Sequence, residues 1–258
     1  MPVVSKSDLD TAAYFDRLAA TYGAGEYYRK RREAVLGEIS ARIGTLESLL
    51  DLGCGNGAYL AAFRDALNPR VLAGADLSIG MLRRARDRGA SQLLVACDAA
   101  AIPFRAGVWQ AVFCSHVLQF IRDLPRCFSE IIRCLACGGT LIVAGGEFGT
   151  RERLRMAIGD ARWAAFRNEL PRPRDVPFRR SLSECRRIAG DAGFEVDSCE
   201  VEFIVTWADL AEFYRVRWLP LVERNSQTGL QRILEEIIAS RGSECLTLAE
   251  SLLFCRKR

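Results

Sequence analysis

The sequence has no uninterrupted apolar run approaching the roughly 18 to 20 residues that a membrane helix needs, so no membrane span is expected. Its opening, MPVVSKSDLDTAAYFDRL, lacks the apolar stretch of a secretory signal. No internal repeat or low-complexity tract is present, and half of the 258 residues are hydrophobic and 26% charged, which excludes disorder, collagen and coiled coil. Nor is there a large excess of one charge. Against 36 Lys and Arg stand 32 Asp and Glu, a formal +4, too little for a dedicated nucleic-acid binder. Histidine occurs once, and Cys134-x-x-Cys137 has no second close pair to complete a zinc site, so no metal is expected. Most of the ten cysteines sit in apolar runs such as LLVACDAA and AVFCSHVL, where a thiol acts as a small hydrophobe. They read as reduced, and the chain as cytoplasmic.

What is present is a rhythm of short apolar runs. LESLLDLG (46–53), RVLAGADL (70–77), SQLLVACD (91–98), WQAVFCSH (109–116) and GTLIVAGG (139–146) are nearly continuously apolar, as strands covered on both faces are. Between them AYLAAFRDAL, IGMLRRARDRG and PRCFSEIIRCLACGG repeat apolar residues at helical spacing. The alternation predicts a doubly wound, Rossmann-like α/β fold with helices on both faces. Residues 8–43 read as two amphipathic helices split at Tyr22-Gly23-Ala24-Gly25. Beyond the fifth strand, LSECRRIAGDAGFEV predicts a helix, CEVEFIVTW a strand, 208–242 further helix and ESLLFCRKR a last strand. The expected organisation is one domain over 1–258, with an N-terminal helical cap at 1–44 and lid or substrate-binding insertions at 147–182 and 208–247.

The most informative stretch is Leu49-Leu50-Asp51-Leu52-Gly53-Cys54-Gly55-Asn56-Gly57. A strand that ends in three glycines and runs into a helix lets a nucleotide-type ligand lie against bare backbone. Gly53, Gly55 and Ala58 also satisfy the dinucleotide fingerprint, so the glycines alone leave the ligand open. Asp51 favours a cationic, amino-acid-bearing ligand, because a carboxylate there repels a pyrophosphate and accepts from an ammonium group. Asp76 closes the second strand, where an acid can take both hydroxyls of a ribose. Asp98 closes the third, placed to accept from an adenine amino group.

With LLDLGCGNG, GADLSIGMLRRAR, CDAAAIPF and Cys137-Gly138-Gly139 before LIVAGG, the chain from about Tyr14 to Gly146 resembles the class I S-adenosylmethionine-dependent methyltransferases. The likeness is to small members acting on quinones, natural products and, in one branch, transfer RNA. It implies a seven-stranded, mostly parallel sheet with an antiparallel last strand. It also implies S-adenosylmethionine as cofactor, with its methionine part on the Gly53, Gly55 and Gly57 loop, its ribose on Asp76, its adenine face on Leu77 and Met81, and its adenine edge on Asp98 and Ala99. The Cys114 backbone carbonyl would take the amino group, Tyr22, with Tyr27 and Tyr28 as competitors for the role, would close over the cofactor, and Arg31 would pair with its carboxylate. Two positions depart from the family's usual pattern: Trp109-Gln110 replaces Phe-Asp, and Cys137 replaces a proline before the glycine pair.

Methyl transfer needs a base only if the acceptor keeps its proton, and His116, on the rim after the fourth strand, is the candidate. The expected acceptor is a small organic molecule, methylated on oxygen, nitrogen or carbon. Trp207, Phe213, Tyr214 and Trp218 fall near helical spacing and either wall an acceptor pocket or pack the helix. Residues 151–187 hold eleven arginines and five acidic residues, with Trp163 and Phe166 interleaved. That surplus keeps transfer RNA open as an alternative acceptor. A cofactor-retaining protein that transfers no methyl is the other alternative.

Overall fold

The computed structural model describes residues 6–145, 155–156, 158–169, 181–217 and 224–258. Seven strands form one sheet in the order β3-β2-β1-β4-β5-β7-β6. They are β1 (Ser48–Leu52), β2 (Val71–Asp76), β3 (Leu93–Ala96), β4 (Trp109–Ser115), β5 (Leu135–Gly145), β6 (Phe194–Thr206) and β7 (Cys245–Lys257). β1 to β5 pair in parallel, and β7 runs antiparallel between β5 and β6. The expected mostly parallel sheet with a reversed last strand is the sheet observed.

Helices α1 (Lys6–Leu18) and α2 (Glu26–Ile43) precede the sheet. α3 (Ala58–Leu67), α4 (Ile79–Asp87) and α5 (Leu124–Cys134) connect its parallel strands. Of the later helices, α6 (Asp160–Glu169) lies between β5 and α7 (Leu182–Asp191), and α8 (Trp207–Arg217) and α9 (Arg224–Arg241) link β6 to β7. Starts follow local chemistry: the Ser78 hydroxyl accepts from Met81 N at α4, and the Asp123 carboxylate accepts from Arg126 N at α5, with proline in the first turn.

The apolar runs alternate their side chains between two packed faces. Leu50, Leu52, Val112, Leu141 and Leu253 meet Phe128 and Ile131 of α5 on one face. Leu49, Phe113, Ile142 and Leu252 meet Val35 and Ile39 of α2 and Phe63 of α3 on the other. Each such fully buried side chain contributes about 1.5 to 3 kcal/mol. β3, at the sheet's edge, is only partly buried, which explains why it spans four residues rather than the expected 91–98.

Cys137-Gly138-Gly139 does not end a helix in a plain turn. β5 already pairs at Trp109↔Leu135 and resumes at Ala111↔Thr140, so the glycines sit in a bulge inside the strand. A Cβ on Gly139 would lie 3.0 to 3.2 Å from three backbone carbonyls, those of Ala136, Trp109 and Gln110.

A separate cluster joins Tyr27 and Tyr28 of α2, Phe203 of β6, Trp207, Phe213 and Tyr214 of α8, and Leu234 of α9. This corrects the acceptor-wall reading of Trp207, Phe213 and Tyr214, which are buried in mutual packing. Trp163 packs against the same cluster. Trp218 and the Phe166 side chain lie outside the described residues. Among the described residues, no helix is long and apolar enough to cross a membrane.

Candidate active site

The strand order reverses between β1 and β4, so the carboxyl ends of the parallel strands open onto a crevice. There β1 leaves the sheet through Gly53, Gly55 and Gly57, at φ +77°, +53° and +77°, a region that side chains rarely enter. A Cβ on Gly53 would stand 2.1 Å from Val117 Cγ2, so only a bare backbone passes beneath that side chain. Asp76 fixes the loop from β2: one carboxylate oxygen accepts from Gly55 N and the other from Ser78 N, each at 2.8 Å. Burial pushes its carboxyl up, and those backbone donors oppose the shift.

A cavity of about 360 Å³ fills the crevice. Gly53, Gly55, Asp76, Leu77 and Met81 line it, as do Asp98 and Ala99 beyond β3. Phe15 of α1 and Phe120 meet edge to face over it at 5.0 Å, and Tyr22 completes that wall. A second cavity of about 50 Å³ shares Tyr22, Gly53, Gly55 and Ser115 with the first and adds Asp51 and Arg31.

Asp51 and Arg31 are both buried, and among the described residues Asp51 Oδ2 and Arg31 Nε have no hydrogen-bond partner. Burial, with the nearby Asp76 charge, lifts the Asp51 carboxyl well above the usual range. Burial lowers the Arg31 guanidinium, but Glu250 together with Tyr59, Tyr27 and Tyr28 outweighs it and holds the group well above its ordinary value. The guanidinium also lies 5.3 Å and 5.8 Å over the rings of Tyr28 and Tyr27.

His116 follows β4 in a left-handed conformation, φ +55°, uncommon for a residue with a side chain. Its N–H donates to Ala144 O at 2.9 Å. On the ring, Nε2 lies 2.7 Å from Glu250 Oε1 and 3.2 Å from Arg31 Nη1.

A family model described as a methyltransferase domain matches residues 50–143. The chain is 32% identical over 199 residues to a malonyl-[acyl-carrier protein] O-methyltransferase of Geobacter sulfurreducens, with 73% of each chain covered. It is 33% identical to a demethylmenaquinone methyltransferase of Thermobifida fusca, over 54% of this chain and 62% of that one. The chain belongs to the class I S-adenosylmethionine-dependent methyltransferases. The same fold recurs in geranyl diphosphate C-methyltransferase from Streptomyces coelicolor, with TM-score 0.54, 17% identity and 98% of both chains covered.

The site fits this family's cofactor. An orphaned carboxyl group and an orphaned guanidinium nitrogen border one small cavity, an acid and a cation matched to the two ends of an amino acid. The nucleoside-sized cavity adjoins it, with Asp76 on its wall. The structure therefore brings together Asp51, Gly53, Gly55, Asp76, Leu77, Met81, Asp98, Ala99, Tyr22, Arg31 and His116.

Two expected residues stand apart. Cys114 is wholly buried inside β4, its side chain in the core, and neither cavity reaches it. The strand continues one residue further, and its last residue, Ser115, lines both cavities. Gly57 also lines neither. A Cβ there would meet Ala90 at 2.6 Å and Ala85 at 2.9 Å, so this glycine serves the close approach of α3 to α4. Glu250 is the residue sequence reasoning missed, and its signal was an acid inside the apolar run LTLAESLLFC.

Proposed function

We propose that the chain moves a methyl group from S-adenosylmethionine to an oxygen, nitrogen or carbon of a small organic acceptor. The observation that carries the cofactor reading is the pair of unpartnered groups, Asp51 Oδ2 and Arg31 Nε, beside the glycine loop. In this reading Asp51 receives the cofactor's ammonium group and Arg31 its carboxylate. Asp76 takes the ribose hydroxyls, Leu77 and Met81 cover the adenine, and Asp98 with Ala99 meets its edge. When bound, the cofactor supplies a sulfonium methyl open to in-line displacement. The protein holds the acceptor in line, and Phe15, Tyr22 and Phe120 exclude water. His116 takes the acceptor's proton where one must leave.

An aromatic wall over a cavity of this size supports a small organic acceptor. The relatives support the same class: demethylmenaquinone is a small organic molecule, and malonyl-[acyl-carrier protein] presents the oxygen of a small acyl group. The transfer RNA alternative rests on the likeness of LDLGCGNGAYL to the RNA-acting branch and on the arginines of 151–187, six of which, of eleven, lie outside the described residues. All ten cysteines are free, which suits a reducing, cytoplasmic setting. The N-terminal helices would form the cap and α8 with α9 one lid; most of the other expected lid, 147–182, lies outside the described residues.

The test is calorimetric titration with S-adenosylmethionine and, in parallel, NAD. Micromolar binding of the first and none of the second is expected. Binding of NAD alone overturns the reading, and salt-sensitive binding of bulk transfer RNA would move the acceptor to RNA.

A further inference from the structure

Three elements distant in sequence bring one residue each to a buried charge cluster: Arg31 from α2, His116 from the exit of β4 and Glu250 from the middle of β7. Glu250 is 2% exposed and Arg31 6%. Burial favours the neutral acid at Glu250, but His116 and Arg31 outweigh it and hold the carboxyl below its ordinary value. Glu250 is therefore a carboxylate, which accepts and cannot donate. At 2.7 Å from Glu250 Oε1, His116 Nε2 must carry a proton. The Arg31 Nη1 contact at 3.2 Å cannot then be a donation onto Nε2, because that would need a lone pair there. Arg31 acts on the carboxylate's charge instead.

The consequence falls on the other ring nitrogen. His116 lines the large cavity, and among the described residues no hydrogen bond engages Nδ1. The left-handed backbone at φ +55° re-aims the residue at the strand end. Such a conformation persists only where surrounding contacts over-determine it. Here those contacts are Ala144 O on the backbone and Glu250 on the ring.

We propose that Glu250 is a positioning residue that pins His116 in the Nε2–H form, with Nδ1 turned to the cavity as the basic atom. This rests on the methyltransferase reading for its purpose, though not for its geometry. In the step it serves, the acceptor's proton passes to Nδ1. The resulting imidazolium keeps its Nε2 proton against Glu250 and later releases the Nδ1 proton to water.

Because His116 is the only histidine, the full chain labelled with ring-¹⁵N histidine gives one pair of ring nitrogens. At neutral-imidazole pH the wild type is expected to show Nε2 protonated and Nδ1 bare. Glu250→Gln should mix the tautomers, since an amide can also donate, and Glu250→Asp should restore the wild-type pattern. An Nδ1–H tautomer in the wild type overturns the proposal without need of any variant, as does an unchanged tautomer in folded Glu250→Gln. S-adenosylhomocysteine is the second probe. Binding seen by calorimetry should move the Nδ1 resonance more than Nε2, and binding that leaves Nδ1 in place overturns its cavity-facing assignment. If neither S-adenosylhomocysteine nor S-adenosylmethionine binds, the proposed function fails, while the tautomer still decides the role of Glu250.

Discussion

Asp16 Oδ1 on α1 accepts from the Ser78 hydroxyl and from Gly80 N, tying α1 to the first turn of α4. A carboxylate at a helix N-terminus is favoured by the helix dipole as well as by its hydrogen bonds. α1 supplies Thr11 and Phe15 to the large cavity, so the clamp also sets that wall. Asp16→Ala is expected to weaken S-adenosylmethionine binding about tenfold, about 1.4 kcal/mol, close to the lower bound for one bond to a charged group. Gly80→Ala should act the same way, since its Cβ would stand 2.7 Å from Asp16 Oδ1. Calorimetry on both variants checks this, and wild-type affinity in both would remove the clamp from the site.

Asp76 has two tasks, shaping the loop through Gly55 N and Ser78 N and facing the cavity. Asp76→Ala loses both and should cut S-adenosylmethionine affinity by about a hundredfold or more, as expected when two charge-assisted bonds of about 1.5 to 3 kcal/mol each disappear. Asp76→Asn keeps one acceptor oxygen and should fall between. Equal affinities for the two variants would show that only the charge matters.

How much of this was legible beforehand depended on whether a role was local in sequence. The glycine loop, Asp76 and Asp98 stand at strand ends, and a strand followed by glycines places them without any tertiary knowledge. The alternation of strand and helix patterns points to the doubly wound α/β layout, whereas the reversed last strand was implied only by the family resemblance. Glu250 was not legible, because its partner is 134 residues away and an acid in an apolar strand carries no label for what it meets. Phe213 and Tyr214 fall in the expected helix and Trp207, expected at a strand end, opens it, but spacing cannot say whether a face meets a ligand or Tyr27 and Tyr28. Cys114 lies in the core beside Ser115, which lines both cavities, and the spacing of a strand does not say which of two neighbours meets a ligand.

Asp51 should make both stability and binding depend on pH. Its folded-state carboxyl is raised by burial, so between the unfolded value, about 3.9, and the raised one the folded chain binds the extra proton. Stability of the ligand-free protein is therefore full at the acid end of that window and declines as pH rises through it. Asp76 is also raised and contributes with the same sign, so the contrast with Asp51→Asn isolates Asp51. Melting curves across pH should be flatter for Asp51→Asn. An ammonium group arriving beside Asp51 favours its ionised form, so binding should release a proton and tighten with rising pH. Calorimetry in two buffers of different ionisation enthalpy measures that release, and its absence would place Asp51 ionised before the ligand arrives.

Gly53 and Gly57 share a backbone conformation, φ +77° at both, yet should fail differently. Gly57→Ala drives a Cβ to 2.6 Å from Ala90 and 2.9 Å from Ala85, two side chains with no rotamer to yield. Strain and overpacking together should cost about 2 to 4 kcal/mol of stability, while the folded fraction still binds S-adenosylmethionine. Gly53→Ala meets Val117 Cγ2 at 2.1 Å, and Val117 lines the large cavity. Rotating that side chain relieves the clash by pushing a methyl toward the ligand, so affinity should drop along with stability. Gly107→Ala, at φ +72° with nothing within 4 Å, isolates the conformational cost alone, about 1 to 2 kcal/mol. Denaturant melts and calorimetry on the three variants separate these cases. Equal loss of affinity in the Gly53 and Gly57 variants would mean that the loop responds as one unit and that packing against α4 is part of the binding surface.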